Sequence, residues 1–167
     1  MNHQTDRDLW LEEALVKWEV PLIRTCYLLL RDAALAEDAV QETFVKAWRS
    51  FESYRQDASE KTWLTRIAVN TCRDLMRGKW FVRVDRRVNA DDLPEATVPF
   101  ETPDDTVTKA VLSLPFALRQ AIVLRYFRGF TVREVAGVLH ISQRTVLYRL
   151  KKAKRILKDS LEDWYDE

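Results

Sequence analysis

Seven basic residues and no acidic one lie between Ser142 and Lys158. At about 100° per residue, Val146, Leu150, Ala153 and Leu157 fall on one side of a helix and demand a core. Arg144, Tyr148, Lys151, Lys152 and Arg155 fall opposite them. A face of this kind supplies donors to phosphate oxygens and guanine edges, the chemistry of a helix seated in the major groove of DNA. A plain solvated face can be basic too, but a lone aromatic such as Tyr148 has little reason to face water among lysines. Two further groups stand out. Arg66, Asn70, Arg73 and Arg77 recur at steps of four, three and four, one helical stripe that suits a phosphate backbone. Its bland alternative is a solvated face with Asp74 as local partner. Asp38, Gln41, Glu42 and Arg49 share a face with apolar Val45, and an apolar residue ringed by polar ones marks a docking surface.

Catalytic chemistry is harder to place. His3 and His140 are the only histidines, and no nucleophile has a base at motif spacing. No glycine-rich phosphate loop exists, since the chain has three glycines in all. Cys26 and Cys72 are too few and too far apart for a zinc motif, and their apolar neighbours make them core residues. The expectation is a protein with no enzymatic activity, no cofactor and no metal. No apolar run approaches the roughly 18 residues that span a bilayer. The first residues lack a signal peptide's basic start and apolar core. A reducing cytoplasm, without membrane insertion, is the expected home.

These groups need helices to hold them. Hydrophobic residues make up 47% and charged residues 32% of the 167 residues, a globular mix. Period-two alternation is absent, so the chain reads as all-α. Net charge is +1, so it is the distribution of charge that carries information. A first helix runs from Thr5 and Asp8 to Leu30, with Pro21 as an internal break or kink. A second spans about Leu35 to Phe51, with Ala36, Val40, Phe44, Ala47 and Phe51 as its stripe. A third spans about Thr62 to Lys79, with Leu64, Ile67, Ala68, Cys72 and Leu75 inward. From Val84 to Thr106 the pattern fails: Pro94, Pro99, Pro103 and seven acidic residues read as an extended acidic linker. After it, Thr131 caps a helix, Glu134 closes a capping box, and Phe130 with Val135 forms a hydrophobic staple. The turn Leu139-His140-Ile141 leads to Ser142, which caps the next helix, with Ile141 and Val146 as a second staple. That is the grammar of a helix-turn-helix. The expected architecture is two small helical domains, 1–83 and 107–167, joined by the linker 84–106, with the helix-turn-helix in the second.

At this point the residues resemble a known family. The string Ala36-Glu37-Asp38-Ala39-Val40-Gln41-Glu42-Thr43-Phe44-Val45-Lys46-Ala47-Trp48 resembles the region-two helix of extracytoplasmic-function (ECF) sigma factors of bacterial RNA polymerase. Thr62-Trp63-Leu64-Thr65-Arg66-Ile67-Ala68-Val69-Asn70, with Asp74 and Arg77 after it, is similar to the DNA-facing helix of the same domain. Leu114-Pro115 through Arg125-Tyr126, followed by the helix-turn-helix, resembles region four. The three motifs stand in the family's order and cover nearly the whole chain.

The resemblance implies a transcription initiation factor that binds core RNA polymerase, recognises the minus-ten and minus-thirty-five promoter elements, and traps the opened strand. Asp38, Gln41, Glu42, Phe44 and Val45 would grip polymerase. Arg66, Asn70, Arg73 and Arg77 would face the minus-ten element. The loop from Glu52 to Lys61 would capture a flipped base, with Tyr54 as its only aromatic. Arg144, Thr145, Tyr148, Arg149, Lys151, Lys152 and Arg155 would meet the minus-thirty-five element. The resemblance also implies an anti-sigma partner. The chain departs from the family pattern at His140, where glycine is usual, at Arg144 before Thr145, and at Leu147, where a polar residue is common. The runner-up is a stand-alone helix-turn-helix regulator, which would dimerise on a palindromic site and bind duplex DNA without polymerase.

Overall fold

In a computed structural model of the chain, residues 3–54, 57–86 and 105–165 are described, and all their regular structure is helical. The order is α1 (His3–Leu30), α2 (Ala33–Arg49), a 3-10 turn (Phe51–Ser53), α3 (Glu60–Arg86), α4 (Asp105–Ser113), α5 (Phe116–Ile122), a π turn (Val123–Phe127), α6 (Val132–Leu139) and α7 (Gln143–Tyr165). The chain divides into two compact units, Met1–Pro99 and Phe100–Glu167. Helix α3 runs past Arg83 to Arg86 and α4 begins at Asp105, so both ends of the expected linker are helical. The rest of it, 87–104, lies outside the described residues.

The first unit packs α1, α2 and α3 against one another. Leu22, Cys26, Leu29, Ala36, Ala39, Val40, Ala47, Leu64, Ala68 and Cys72 interlock in its core. Each large aliphatic side chain so buried stabilises the fold by about 1.5–3 kcal/mol. That is why α1 continues through Pro21 without interruption: the turns after it, Leu22 to Leu30, are mostly buried, and their packing outweighs one lost backbone hydrogen bond. Thr25, Thr43, Thr65 and Thr71 are buried as well, yet none is an unsatisfied polar group. Each hydroxyl donates to the carbonyl four residues earlier, at 2.8, 2.6, 2.7 and 2.8 Å. Threonine can therefore sit on a helix's core face, which an apolar-stripe reading overlooks. Cys26 and Cys72 are free and fully buried. A hydrogen bond to Cys26, and then burial, pushes the Cys72 thiol far above its ordinary range, so it packs as an inert apolar group. Between α1 and α2, Arg31 takes the left-handed conformation (φ 59°) and Asp32 caps α2 by accepting from the Leu35 amide at 3.0 Å.

The second unit closes α4, α5 and α6 around one side of α7. Val111, Leu114, Leu118, Ile122, Leu124, Phe130, Val135, Val138, Val146, Leu150 and Ala153 form its core. A buried cation lies among them. Arg119 is 2% exposed, and its Nη1 donates to the carbonyls of Leu114 (2.7 Å) and Leu112 (3.3 Å) where α4 ends.

Candidate nucleic-acid interface

The helix-turn-helix is set by its caps. Thr131 Oγ1 accepts from the Glu134 amide, and the Glu134 carboxylate accepts from the Thr131 amide, both at 3.1 Å. Phe130 and Val135 are both buried, as a staple requires. His140 ends α6 in the left-handed conformation (φ 55°, ψ 44°), and the Ile141 amide reaches back to the Ala136 carbonyl at 3.1 Å. A histidine thus occupies the site that favours glycine, at a local cost of about 1–2 kcal/mol. Ser142 Oγ then accepts from the Thr145 amide at 3.1 Å, opening α7.

With α7 so fixed, Val146, Leu150 and Ala153 turn to the core and the opposite face is open. Arg144, Tyr148, Lys151, Lys152 and Arg155 are all exposed, Tyr148 at 63%. Arg149 and Thr145 are half-buried, and the Thr145 hydroxyl is held by Ser142 at 2.9 Å. Thr145 therefore helps to fix the helix start. Leu147, at 56% exposed, lies on this open side as well. At the end of α5, Tyr126 and Phe127 are exposed on the π turn, and Lys154 of α7 stands 5.1 Å from the Tyr126 ring centroid. Tyr126 enters the sequence reading only as the end of a motif, and Phe127 escapes it. Their signal was adjacency: an aromatic pair flanked by Arg125 and Arg128 without helical periodicity.

In the first unit, Asp38, Gln41, Glu42 and Val45 share an exposed face of α2, with Val45 at 41% exposure among the polar groups. Phe44 is different, because its ring is buried. It floors a groove of about 440 Å³ between α1 and α2 that Leu11, Leu15, Gln41, Val45 and Trp48 also line. The apolar wall from α1 is invisible in the α2 pattern alone.

On α3, Arg66, Asn70 and Arg73 are half-buried and Arg77 is exposed. Arg77 sits 4.0 Å from Asp74, a solvated pair worth little. The stripe exists as three guanidinium groups and one amide, half-buried at the Arg66 end and exposed at Arg77.

Before α3, residues 55–56 lie outside the described residues, and Tyr54 and Ala58 face each other across them. The Tyr54 hydroxyl donates to the Ala58 carbonyl at 2.5 Å, and its ring stacks on Trp63 with centroids 4.3 Å apart. Burial, and then the Glu60 carboxylate, push its phenol above the ordinary range, so it remains a neutral donor. Trp10 of α1 touches both Phe51 (5.1 Å) and Trp63 (5.6 Å). The expected lone aromatic of the loop is thus one member of a four-ring layer.

Residues 17–82 match the family model for sigma-70 region 2, and residues 104–157 match that for sigma-70 region 4. The RNA polymerase sigma-H factor of Pseudomonas aeruginosa is 28% identical over 162 residues, covering 89% of this chain and 84% of that protein. The ECF RNA polymerase sigma-E factor of Escherichia coli K12 is 31% identical over 144 residues, covering 75% of this chain and 73% of that protein. Among solved structures, the sigma factor RpoE of Bartonella quintana, in complex with the anti-sigma factor NepR, superposes with a TM-score of 0.78 at 25% identity, over 90% of this chain and 96% of that one. CnrH, in complex with the cytosolic domain of CnrY, gives 0.67 at 25% identity, over 92% and 88%. Among the described residues, no helix is long and apolar enough to cross a membrane. With region 2 and region 4 present in that order, and a relative above 30% identity spanned over most of its length, the chain belongs to the ECF family of RNA polymerase sigma factors and is an alternative sigma factor directing transcription initiation.

Proposed function

We propose that three faces divide the work of initiation. Asp38, Gln41, Glu42 and Val45, with Phe44 beneath them in the groove, dock on core RNA polymerase. Arg66, Asn70, Arg73 and Arg77 on α3, with Tyr54 before it, engage the minus-ten element. Arg144, Thr145, Tyr148, Arg149, Lys151, Lys152 and Arg155 on α7 meet the minus-thirty-five element. Residues 1–83 and 107–167 act as the two binding domains and 84–106 as the acidic link between them. The factor works in the cytoplasm and catalyses nothing: its contribution is binding energy and position. Its structural neighbour RpoE was solved with the anti-sigma factor NepR, and CnrH with the cytosolic domain of CnrY. We extend that to this chain, whose partner would be an anti-sigma factor.

The observation that carries this reading is the α7 outer face. A helix capped at its start, with Val146, Leu150 and Ala153 buried and Leu157 half-buried on its apolar side, leaves an aromatic and four cations exposed on the other side. Phosphate contacts position such a helix and base contacts give it specificity. The test is transcription from a promoter library by core polymerase with and without the chain. Initiation only when both are present supports the proposal. Tight, sequence-specific binding of duplex DNA by the chain alone supports the stand-alone regulator and removes it.

A further inference from the structure

Between Arg144 and Lys158, the exposed positions of α7 are cationic with two exceptions, Leu147 at 56% and Tyr148 at 63% exposure. Tyrosine brings a hydroxyl that can hydrogen-bond within a groove. Leucine brings nothing polar, and with more than half its surface in water it adds little to the core of the second unit. Its place on the helix is also unlike that of a stray surface leucine. Arg144, three residues before it, and Lys151, four after it, share its helical row, so it is an apolar break in a line of cations. Long side chains on a helix lean towards the N-terminus, which directs the Leu147 isobutyl group over the turn of Gln143 and Arg144. That turn is the end held by the Ser142 cap. In a helix-turn-helix, the N-terminal residues of the second helix meet the base edges.

Phosphates beside the groove reward the neighbouring cations and give an alkyl group nothing. On the groove floor the base pairs present donors and acceptors, and the apolar feature among them is the C5-methyl of thymine. Pressed against guanine or cytosine instead, leucine would desolvate polar edges with no bond in return. We infer that Leu147 is a specificity-determining residue that reads a thymine methyl in the minus-thirty-five element. The inference rests on the proposal that α7 enters that element. Tyr126 and Phe127 are exposed as well, and a protein partner that covered Leu147 together with them is the competing reading. Such a partner would be blind to a methyl on DNA.

The experiment uses holoenzyme assembled from core polymerase and the full chain. A library randomised over the minus-thirty-five element first gives the preferred sequence. Each thymine in it, on either strand, is then replaced by uracil, which lacks only the methyl. Wild-type holoenzyme should bind the uracil promoter about three- to fourfold more weakly at one or two positions, the effect of one methyl group taken from water. Leu147→Ala keeps a strong helix former at an exposed site and shortens the reach, so the fold should persist while the thymine-to-uracil ratio falls to near one. Leu147→Met, which keeps an apolar reach, should preserve the ratio. A wild type that senses no methyl, a preferred element without an A·T pair, or an undiminished ratio in Leu147→Ala overturns the assignment while promoter reading by α7 stands. An equal loss on thymine and uracil templates in Leu147→Ala overturns it too, and points to the protein contact. A library in which no minus-thirty-five sequence is preferred removes the α7 reading itself, and the inference with it.

Discussion

Arg119→Met separates two uses of a basic residue in a DNA-binding unit. The guanidinium is 2% exposed and donates through Nη1 to the carbonyls of Leu114 and Leu112, beside the Phe116 ring at 5.5 Å. It sits where α4 ends and Pro115 begins the turn into α5, so it also meets the negative end of a helix dipole. Methionine keeps most of the packing volume and removes the donors. Hydrogen bonds from a charged group contribute about 1.5–3 kcal/mol each. Relief from burying the cation offsets part of that loss, which leaves a net cost of about 2–3 kcal/mol. For a unit of this size each kcal/mol moves the midpoint by about 4–8 °C, so the melting temperature of the second unit should fall by about 10–20 °C. Amide signals of α6 and α7, followed during heating of the full chain, report that unit separately from the first. At a temperature where the variant remains folded, the salt dependence of promoter binding should match wild type, because a buried guanidinium neutralises no phosphate. A midpoint drop below about 3 °C, or a flattened salt slope, would refute the account of Arg119 as an internal cap.

Thr131→Ala removes one half of the capping box and should destabilise the second unit by about 1 kcal/mol, read by chemical denaturation; an unchanged midpoint would mean that the frame of α6 is set elsewhere. Gln41→Ala with Glu42→Ala alters two exposed side chains, so the fold should survive while affinity for core polymerase drops by about 1–3 kcal/mol in a titration. A folded double variant with native affinity would move the docking face. Lys152→Ala should change preference at one or two minus-thirty-five positions by about 1–3 kcal/mol. Arg155→Ala should instead weaken all promoters alike and flatten the salt dependence by about one phosphate contact. A randomised promoter library transcribed by each variant distinguishes them, and an unaltered base preference in Lys152→Ala would show that the recognition helix is turned otherwise.

What could be read before folding was what local physics decides. Capping and stapling act within a few residues, so Thr131, Glu134, Phe130 and Val135 announce α6 from their order alone. The inner stripe of α7 is legible for the same reason: Val146, Leu150 and Ala153 recur with the helical period and all three are buried. The α2 stripe is legible up to Ala47, but Phe51 leaves the helix for the 3-10 turn, where its ring packs on Trp10. That contact joins residues far apart in sequence, and no periodicity encodes it. Phe44 shows the limit most clearly. The period puts it on the inward stripe and the family resemblance makes it an interface anchor; its ring is buried, and the α1 wall of Leu11 and Leu15 makes a groove above it. The threonines of the core escape as well, because hydroxyl satisfaction by a carbonyl one turn back is a property of the formed helix.

Burial also ranks the arginines by the work each can do on nucleic acid. Arg119 is enclosed and its Nη1 donates inside the unit. Arg66 and Arg73 are half-buried, so packing has already restricted their rotamers and a phosphate that meets them would order little more. Arg144 and Arg155 are exposed and must be ordered on contact. Counterion release, by contrast, depends on how many phosphates are neutralised and not on how rigid the cation was beforehand. On the proposed assignment, the α3 stripe would hold opened DNA in one register, and the α7 cations would set the overall strength of promoter binding and its sensitivity to salt. Arg73→Ala should then slow open-complex formation more than it weakens initial promoter binding, while Arg144→Ala should do the reverse. The two rates are separable in a stopped-flow assay with a fluorescent base in the minus-ten element. Equal effects of both substitutions on both steps would show that burial does not sort these arginines by function.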